Sequence, residues 1–211
     1  MELVRFESEG NLLVGKISRP KSPPPYKPAI IAHPHPLYGG SMENNVVLAL
    51  RDALVSSGWL ALRFNFRGVA PSEGRYGNVL GEARDIISAE KFLRSLKEVN
   101  DEPVVLCGYS FGGLCALYAL AEGLCAKALI LISPMPPEQG FDKEAGLTKI
   151  LPLNLPTLIL LGAQDQFFSA ELYKPLISES TKLKLVSGAD HFYWGAEQEI
   201  KSLAKKFISS L

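Results

Sequence analysis

Residues 104–113, Val-Val-Leu-Cys-Gly-Tyr-Ser-Phe-Gly-Gly, constrain this chain more than any others. An apolar run of strand length stops at Gly108, and residues 114–120 continue with helix-compatible composition. One serine, Ser110, stands at the apex between them. Gly108-Tyr109-Ser110-Phe111-Gly112 fits G-x-S-x-G, the nucleophile elbow. Side chains at the flanking glycines would collide with the adjoining strand and helix, and the serine takes a strained backbone conformation. The turn lifts the hydroxyl above a sheet and leaves the Phe111 N–H free to face a developing oxyanion. The same pattern also arises as an ordinary strand-to-helix turn. The decision therefore rests on whether the chain supplies a base and an acid in suitable places.

Taken in order, residues 3–7 and 12–18 read as two short strands around a turn at 8–11. Residues 19–28 are proline-rich and bounded by strands, which makes them a stiff exposed connector rather than a PxxP ligand. A buried strand at 29–32 leads into His33-Pro34-His35-Pro36-Leu37-Tyr38-Gly39-Gly40. A helix is expected from about 45 to 57, with Val46, Val47, Leu50 and Leu54 at helical spacing, then a strand at 59–64 and a long loop at 65–74. The helix expected at 79–97 carries Glu82, Arg84, Asp85, Glu90, Lys91 and Arg94 on what reads as a solvated face. After the elbow come a strand at 127–132, a loop at 133–154 and a strand at 157–161. A helix near 169–177, a strand at 182–186 and an amphipathic helix at about 196–209 complete the chain. Apolar strands separated by helices predict an α/β fold, with a mostly parallel sheet covered on both faces. In such sheets ligands sit at the carboxyl ends of the strands. The polar clusters at 33–40 and 65–68, with Ser110, Asp165 and His191, all fall there.

The length of 211 residues suits one domain over 1–211. Lys plus Arg and Asp plus Glu are equal at 22 each, and nothing in their spread suggests a nucleic-acid surface. No apolar run reaches membrane-spanning length. Residues 1–7 lack a basic segment followed by an apolar one, so no secretory signal is expected and the cytoplasm is the expected location. The three cysteines, Cys107, Cys115 and Cys125, read as small buried residues in a reducing compartment.

A serine hydroxyl needs a base within hydrogen-bond reach, and that base needs an orienting acid. The chain has three histidines, and His191 is the one outside the proline-braced loop. Asp165 follows the preceding strand. The order Ser110, Asp165, His191 is that of α/β-hydrolases. Asp190 is an alternative acid and Glu171 a further one, while Asp165 also has the sequence position of a helix cap. The second oxyanion donor is expected from the loop after the 29–32 strand. Pro34 and Pro36 have no N–H, which leaves His35 first and Leu37 second. Gly39 and Gly40 let that backbone pass close to the elbow. The side chains of His33 and His35 are expected to brace the loop.

With these residues in view the chain resembles an α/β-hydrolase over its whole length. It is most similar to the small, capless serine hydrolases that resemble dienelactone hydrolase. The segments at 33–40, 63–68 and 108–113, with the late Asp165 and His191, carry the resemblance. It differs from true dienelactone hydrolases in having Ser110 where they have cysteine. The resemblance implies esterase-type activity on carboxylic esters, without cofactor; no metal is expected. The stretch between the 132 and 157 strand ends is too short for a cap domain, so an open site favouring short acyl chains is expected. Met135, Pro136, Pro137 and Phe141 form a candidate apolar flap. Tyr38, Met135, Phe167 and Phe192 are candidate substrate contacts. Of Phe167, Phe168, Phe192, Tyr193 and Trp194, about half are expected to belong to the core instead.

Other readings use the same residues. Thioesterase or peptidase action needs the same serine, histidine and acid. A non-catalytic binding module would keep the fold without turnover. His33, His35 and His191 have the composition of a three-histidine zinc hydrolase site, although that reading leaves the elbow unexplained.

Overall fold

The computed structural model describes residues 1–211 except Gln139, Phe141, Asp142 and Ala145. Phe141, one of the flap candidates, therefore lies outside the described residues. The strands are β1 (Glu2–Ser8), β2 (Asn11–Ser18), β3 (Lys27–Ala32), β4 (Trp59–Phe64), β5 (Val104–Tyr109), β6 (Ala126–Ile132), β7 (Thr157–Gly162) and β8 (Thr181–Val186). The helices are α1 (Asn45–Ser56), α2 (Leu80–Arg94), α3 (Phe111–Ala121) and α4 (Glu197–Ile208), with a single-turn 3-10 segment at Pro36–Tyr38 and a longer one at Ala170–Leu176. All eight strands join one sheet in the order β1-β2-β4-β3-β5-β6-β7-β8. β1 pairs antiparallel with β2, and β2 pairs antiparallel with β4; from β4 to β8 every pairing is parallel.

Period-two alternation divides the core. Ile30, Leu62, Leu106, Leu129 and Ile159 face α2 and α3. Ile31, Ala61, Val105, Ile130 and Leu158 face α1 and α4. Strands buried on both sides read as unbroken apolar runs. β8 departs from that pattern: Lys182, Lys184 and Leu185 are exposed, and the two lysines suit a sheet edge that must not pair with another chain.

The strand order reverses at β3. Its successor β4 lies on one side of it and β5 on the other. The loop after β3 and the turn after β5 therefore diverge at their carboxyl ends and open a crevice. Among its described residues, the segment between β6 and β7 contributes a 3-10 turn at Thr148–Ile150 and no cap domain. Among the described residues no helix is long and apolar enough to cross a membrane.

Three expectations need correcting. α2 runs Leu80–Arg94, shorter at both ends than expected, and its polar face is not all solvated. Glu82 and Asp85 are fully buried because the 65–79 loop folds over the first turns of α2. Arg67 Nε and Nη2 grip Asp85 Oδ1 at 3.0 and 2.7 Å, and the Arg67 N–H donates to Oδ2 at 3.0 Å. Glu82 Oε1 accepts the Gly77 N–H at 2.7 Å, and burial pushes its carboxyl pKa up. Cys107 and Cys115 are buried as expected, but Cys125 is exposed, because it lies in the link from α3 to β6. The connector is exposed at residues 21–25, whereas Tyr26 is buried and its N–H donates to the Glu98 carbonyl.

Candidate active site

Ser110 sits between β5 and α3 with φ 51° and ψ −117°, a conformation that costs an L-residue about 1–3 kcal/mol. The neighbours explain the glycines. A Cβ on Gly108 would lie 2.5 Å from the Gly112 carbonyl oxygen, and one on Gly112 would lie 2.4 Å from that of Ala32. The turn is held from outside as well: the Ser110 N–H donates to Ile132 O, and the Met135 N–H donates to Ser110 O, both at 2.9 Å.

His191 Nε2 lies 3.2 Å from Ser110 Oγ, and its Nδ1 lies 2.9 Å from Asp165 Oδ2. Contacts of this length are usual before substrate tightens a site. Asp165 Oδ1 accepts the N–H groups of Phe167 and Phe168 at 2.9 and 3.0 Å. Its Oδ2 also accepts from Ser133 Oγ at 2.7 Å. Burial alone would raise this carboxyl; the bonds from His191, Ser133 and the Phe167 N–H outweigh burial and hold it below its ordinary value. The His191 loop is pinned by Tyr109 Oη, which donates to the His191 carbonyl at 2.8 Å, and by Gln166 Oε1, which accepts the His191 N–H at 3.2 Å. The rings of Phe167 and Phe168 stand edge-on to the imidazole, with centroids 5.0 and 5.1 Å away.

The alternative acids are occupied elsewhere. Asp190 Oδ1 accepts the N–H groups of Phe192 and Tyr193 in its own turn. Glu171 is exposed and pairs with Lys174. Ser133 and Tyr193 belong to the surroundings of Asp165, a role absent from the sequence-based expectations. Ser133 Oγ contacts both Asp165 and, at 2.7 Å, the Tyr193 hydroxyl. The signal was present: Ser133 is the polar residue that ends an apolar strand, as Asp165 nearly is.

In the loop after β3, the N–H groups are mostly engaged locally. Leu37 donates to His35 Nδ1 at 3.2 Å, and Tyr38 and Gly40 donate to the His35 carbonyl. Gly40 packs closely against the loop itself rather than against the elbow, since a Cβ there would lie 2.0 Å from Pro34 O; Gly39 has φ 80° and open space around it. The His35 ring rests on Phe111, centroids 4.5 Å apart, and burial lowers its pKa. His33 is fully buried. Its Nδ1 faces Pro34 O at 2.6 Å and its Nε2 accepts the Phe66 N–H at 3.0 Å. Both ring nitrogens are thus committed, and His33 does not join His35 and His191 as a metal ligand. The 65–68 segment is scaffold: Asn65 Oδ1 accepts the Met42 N–H at 2.8 Å, and Arg67 holds Asp85.

A cavity of about 460 Å³ opens over Ser110 and His191. Tyr38, Met135, Phe167 and Phe192 all line it, joined by Phe168 and Tyr109. Tyr193 is core, and Trp194 is 76% exposed and outside the lining. The turn at 193–195 carries that indole outward.

The profile of a family described as an alpha/beta hydrolase domain matches residues 28–209. An uncharacterized protein of Rickettsia prowazekii, RP471, is 30% identical over 191 residues, which cover 87% of this chain and 79% of that one. The structure of an alpha-beta serine hydrolase homologue from Coxiella burnetii superposes with a TM-score of 0.83 at 30% identity, covering 97% of this chain and 96% of that one. XC6422 from Xanthomonas campestris, described as a serine hydrolase without lid, superposes with a TM-score of 0.84 at 23% identity, covering 99% of this chain and 94% of that one. With the elbow, the strand order and this match over most of its length, the chain belongs to the alpha/beta hydrolase family.

Proposed function

We propose that this chain is a serine hydrolase that cleaves carboxylic esters by acyl transfer through Ser110, His191 and Asp165. The observation that carries the reading is the unbroken run of contacts from Ser110 Oγ through both ring nitrogens of His191 to Asp165. Ser110 Oγ attacks the ester carbonyl carbon as its proton passes to His191 Nε2. Asp165 fixes the tautomer with the proton on Nδ1 and stabilises the imidazolium. The N–H groups of Phe111 and His35 hold the oxyanion, each contributing about 3 kcal/mol. Leu37, the alternative donor, already spends its N–H on His35. The tetrahedral intermediate collapses by breaking the bond to the alcohol oxygen, which takes the proton from Nε2. Water then gives a proton to His191 and attacks the acyl-enzyme carbon. The acid leaves, and Ser110 recovers its proton.

Fluorophosphonate labelling at Ser110 tests for an activated serine without requiring the right substrate. A panel of aryl esters, thioesters and anilides then separates esterase from thioesterase and peptidase action. Ser110→Ala should abolish labelling and lower kcat by a factor on the order of 10⁴ to 10⁶. Retention of most turnover in Ser110→Ala would sink the proposal. An unlabelled Ser110 in a protein without turnover on the panel would favour the binding-module reading.

A further inference from the structure

The Asp165 carboxylate is saturated. Its four acceptor positions take the N–H groups of Phe167 and Phe168 on Oδ1, and His191 Nδ1 and Ser133 Oγ on Oδ2. The last two share one oxygen, so the state of the Ser133 hydroxyl acts directly on the imidazole. Ser133 Oγ in turn lies 2.7 Å from the Tyr193 hydroxyl. Tyr193 follows His191 in the same turn, which Asp190 Oδ1 fixes by accepting the N–H groups of Phe192 and Tyr193. The contacts therefore close a ring: His191 to Asp165, Asp165 to Ser133, Ser133 to Tyr193, and Tyr193 back to His191 through Phe192.

Proton counting gives the ring a direction. An ionised carboxylate only accepts, and Asp165 is held ionised, so the one Ser133 proton lies on Oδ2. Ser133 Oγ then meets Tyr193 with a lone pair, and the phenol must be the donor. Burial pushes the Tyr193 phenol up, so it keeps that proton throughout the working range of a histidine base. Its other acceptor, Leu160 O, is farther at 3.3 Å and already accepts the Ser133 N–H at 2.8 Å. Both hydroxyl residues are fully buried, and both have backbones in the left-handed region: φ is 36° at Ser133 and 58° at Tyr193. For a residue as bulky as tyrosine that is an outlier. Strain at both ends of one hydrogen-bonded pair, beside the acid of the site, marks an arrangement held for what the two hydroxyls do.

We infer that Tyr193 is a positioning residue for the base: its phenol, donating to Ser133 Oγ, directs the Ser133 proton onto the carboxylate oxygen that holds the His191 ring. This rests on the proposed serine-hydrolase reading. Hydrogen bonds in a chain polarise one another, so the Tyr193 bond strengthens the Ser133 bond and draws charge out of Oδ2. That moderates the pull of Asp165 on the ring proton and fixes the lone pair left to Nδ1. Tyr193 touches no reacting atom and acts through Ser133 alone.

The test is the rate of fluorophosphonate labelling at Ser110 from pH 5.5 to 9, which needs the base but no particular ester. Its acid limb reports His191. Tyr193→Phe deletes only the phenol oxygen and keeps the ring in the core. It should slow labelling at pH 8 by about three- to tenfold and move the acid limb up by about 0.3 to 0.6 pH unit, because a less well satisfied Oδ2 holds the imidazolium more tightly. Asp190, Tyr109 and Tyr173, the other titratable groups around this cluster, are unchanged in the variant. Ser133→Ala should show the same two changes, larger, and adding Tyr193→Phe to it should change nothing further. Equal slowing by Tyr193→Phe in both backgrounds, a slower rate with an unmoved acid limb, or labelling like that of the unaltered protein overturns the relay while the serine-hydrolase reading stands. An unlabelled Ser110 in the unaltered protein removes that reading, and this one with it.

Discussion

His33 makes the fold sensitive to mild acid. The side chain is fully buried, with Nδ1 donating to Pro34 O and Nε2 accepting from the Phe66 N–H. That arrangement requires the neutral ring. Protonation at Nε2 would set one N–H against another, with no solvent to relieve it. Burial is the main cause that brings the pKa down from 6.5 to about 4, opposed by the bond to Pro34. The unfolded chain takes up the proton near 6.5 and the folded one near 4, so stability is fully present above pH 6.5 and is lost as pH falls towards 4. At about 1.4 kcal/mol per pH unit, His33 accounts for a loss of about 3 kcal/mol by pH 4. His35, lowered by burial, acts in the same direction. Glu82 acts against both: its raised pKa makes the folded state bind the proton first, so its contribution improves as pH falls through that range. Urea unfolding at pH 7.5, 6, 5 and 4 measures the sum. His33→Gln is less stable at pH 7.5, because it loses the donor to Pro34, but its decline towards pH 4 should be shallower by about 3 kcal/mol. Parallel declines in the two proteins would refute the argument, whatever their absolute stabilities.

Two further outcomes follow from buried polar groups. Arg67→Met strands the Asp85 carboxylate, which is fully buried, and should cost about 3–5 kcal/mol in urea unfolding at pH 7; adding Asp85→Leu should recover most of that loss. Ser133→Ala removes one donor to Asp165 and leaves those from Phe167 and Phe168, so kcat should fall by about tenfold with KM little changed; an unchanged kcat would show that Ser133 has no positioning role.

What could be read from the chain was whatever its own neighbours determine. Ser110 announces itself because strand, glycines and helix are contiguous. Asp165 and His191 follow from the rule that polar residues ending apolar strands gather at one edge of a parallel sheet. Glu82 and Asp85 were misread for the complementary reason. A polar helix face is taken as solvated unless something covers it, and the cover here is the 65–79 loop, which nothing in the helix itself reveals. The 33–40 loop and the 65–68 segment look like two separate signatures in the sequence, yet they make one unit. The Phe66 N–H closes on His33 Nε2, and the Met42 N–H closes on Asn65 Oδ1 at the far end of the same loop. Anchored at both ends, the intervening backbone cannot drift relative to the sheet. That is what an oxyanion donor at His35 requires, since a preorganised dipole is worth most when it need not move as charge develops. In the proposed chemistry the 65–68 segment thus serves by fixing the loop that offers the second oxyanion donor.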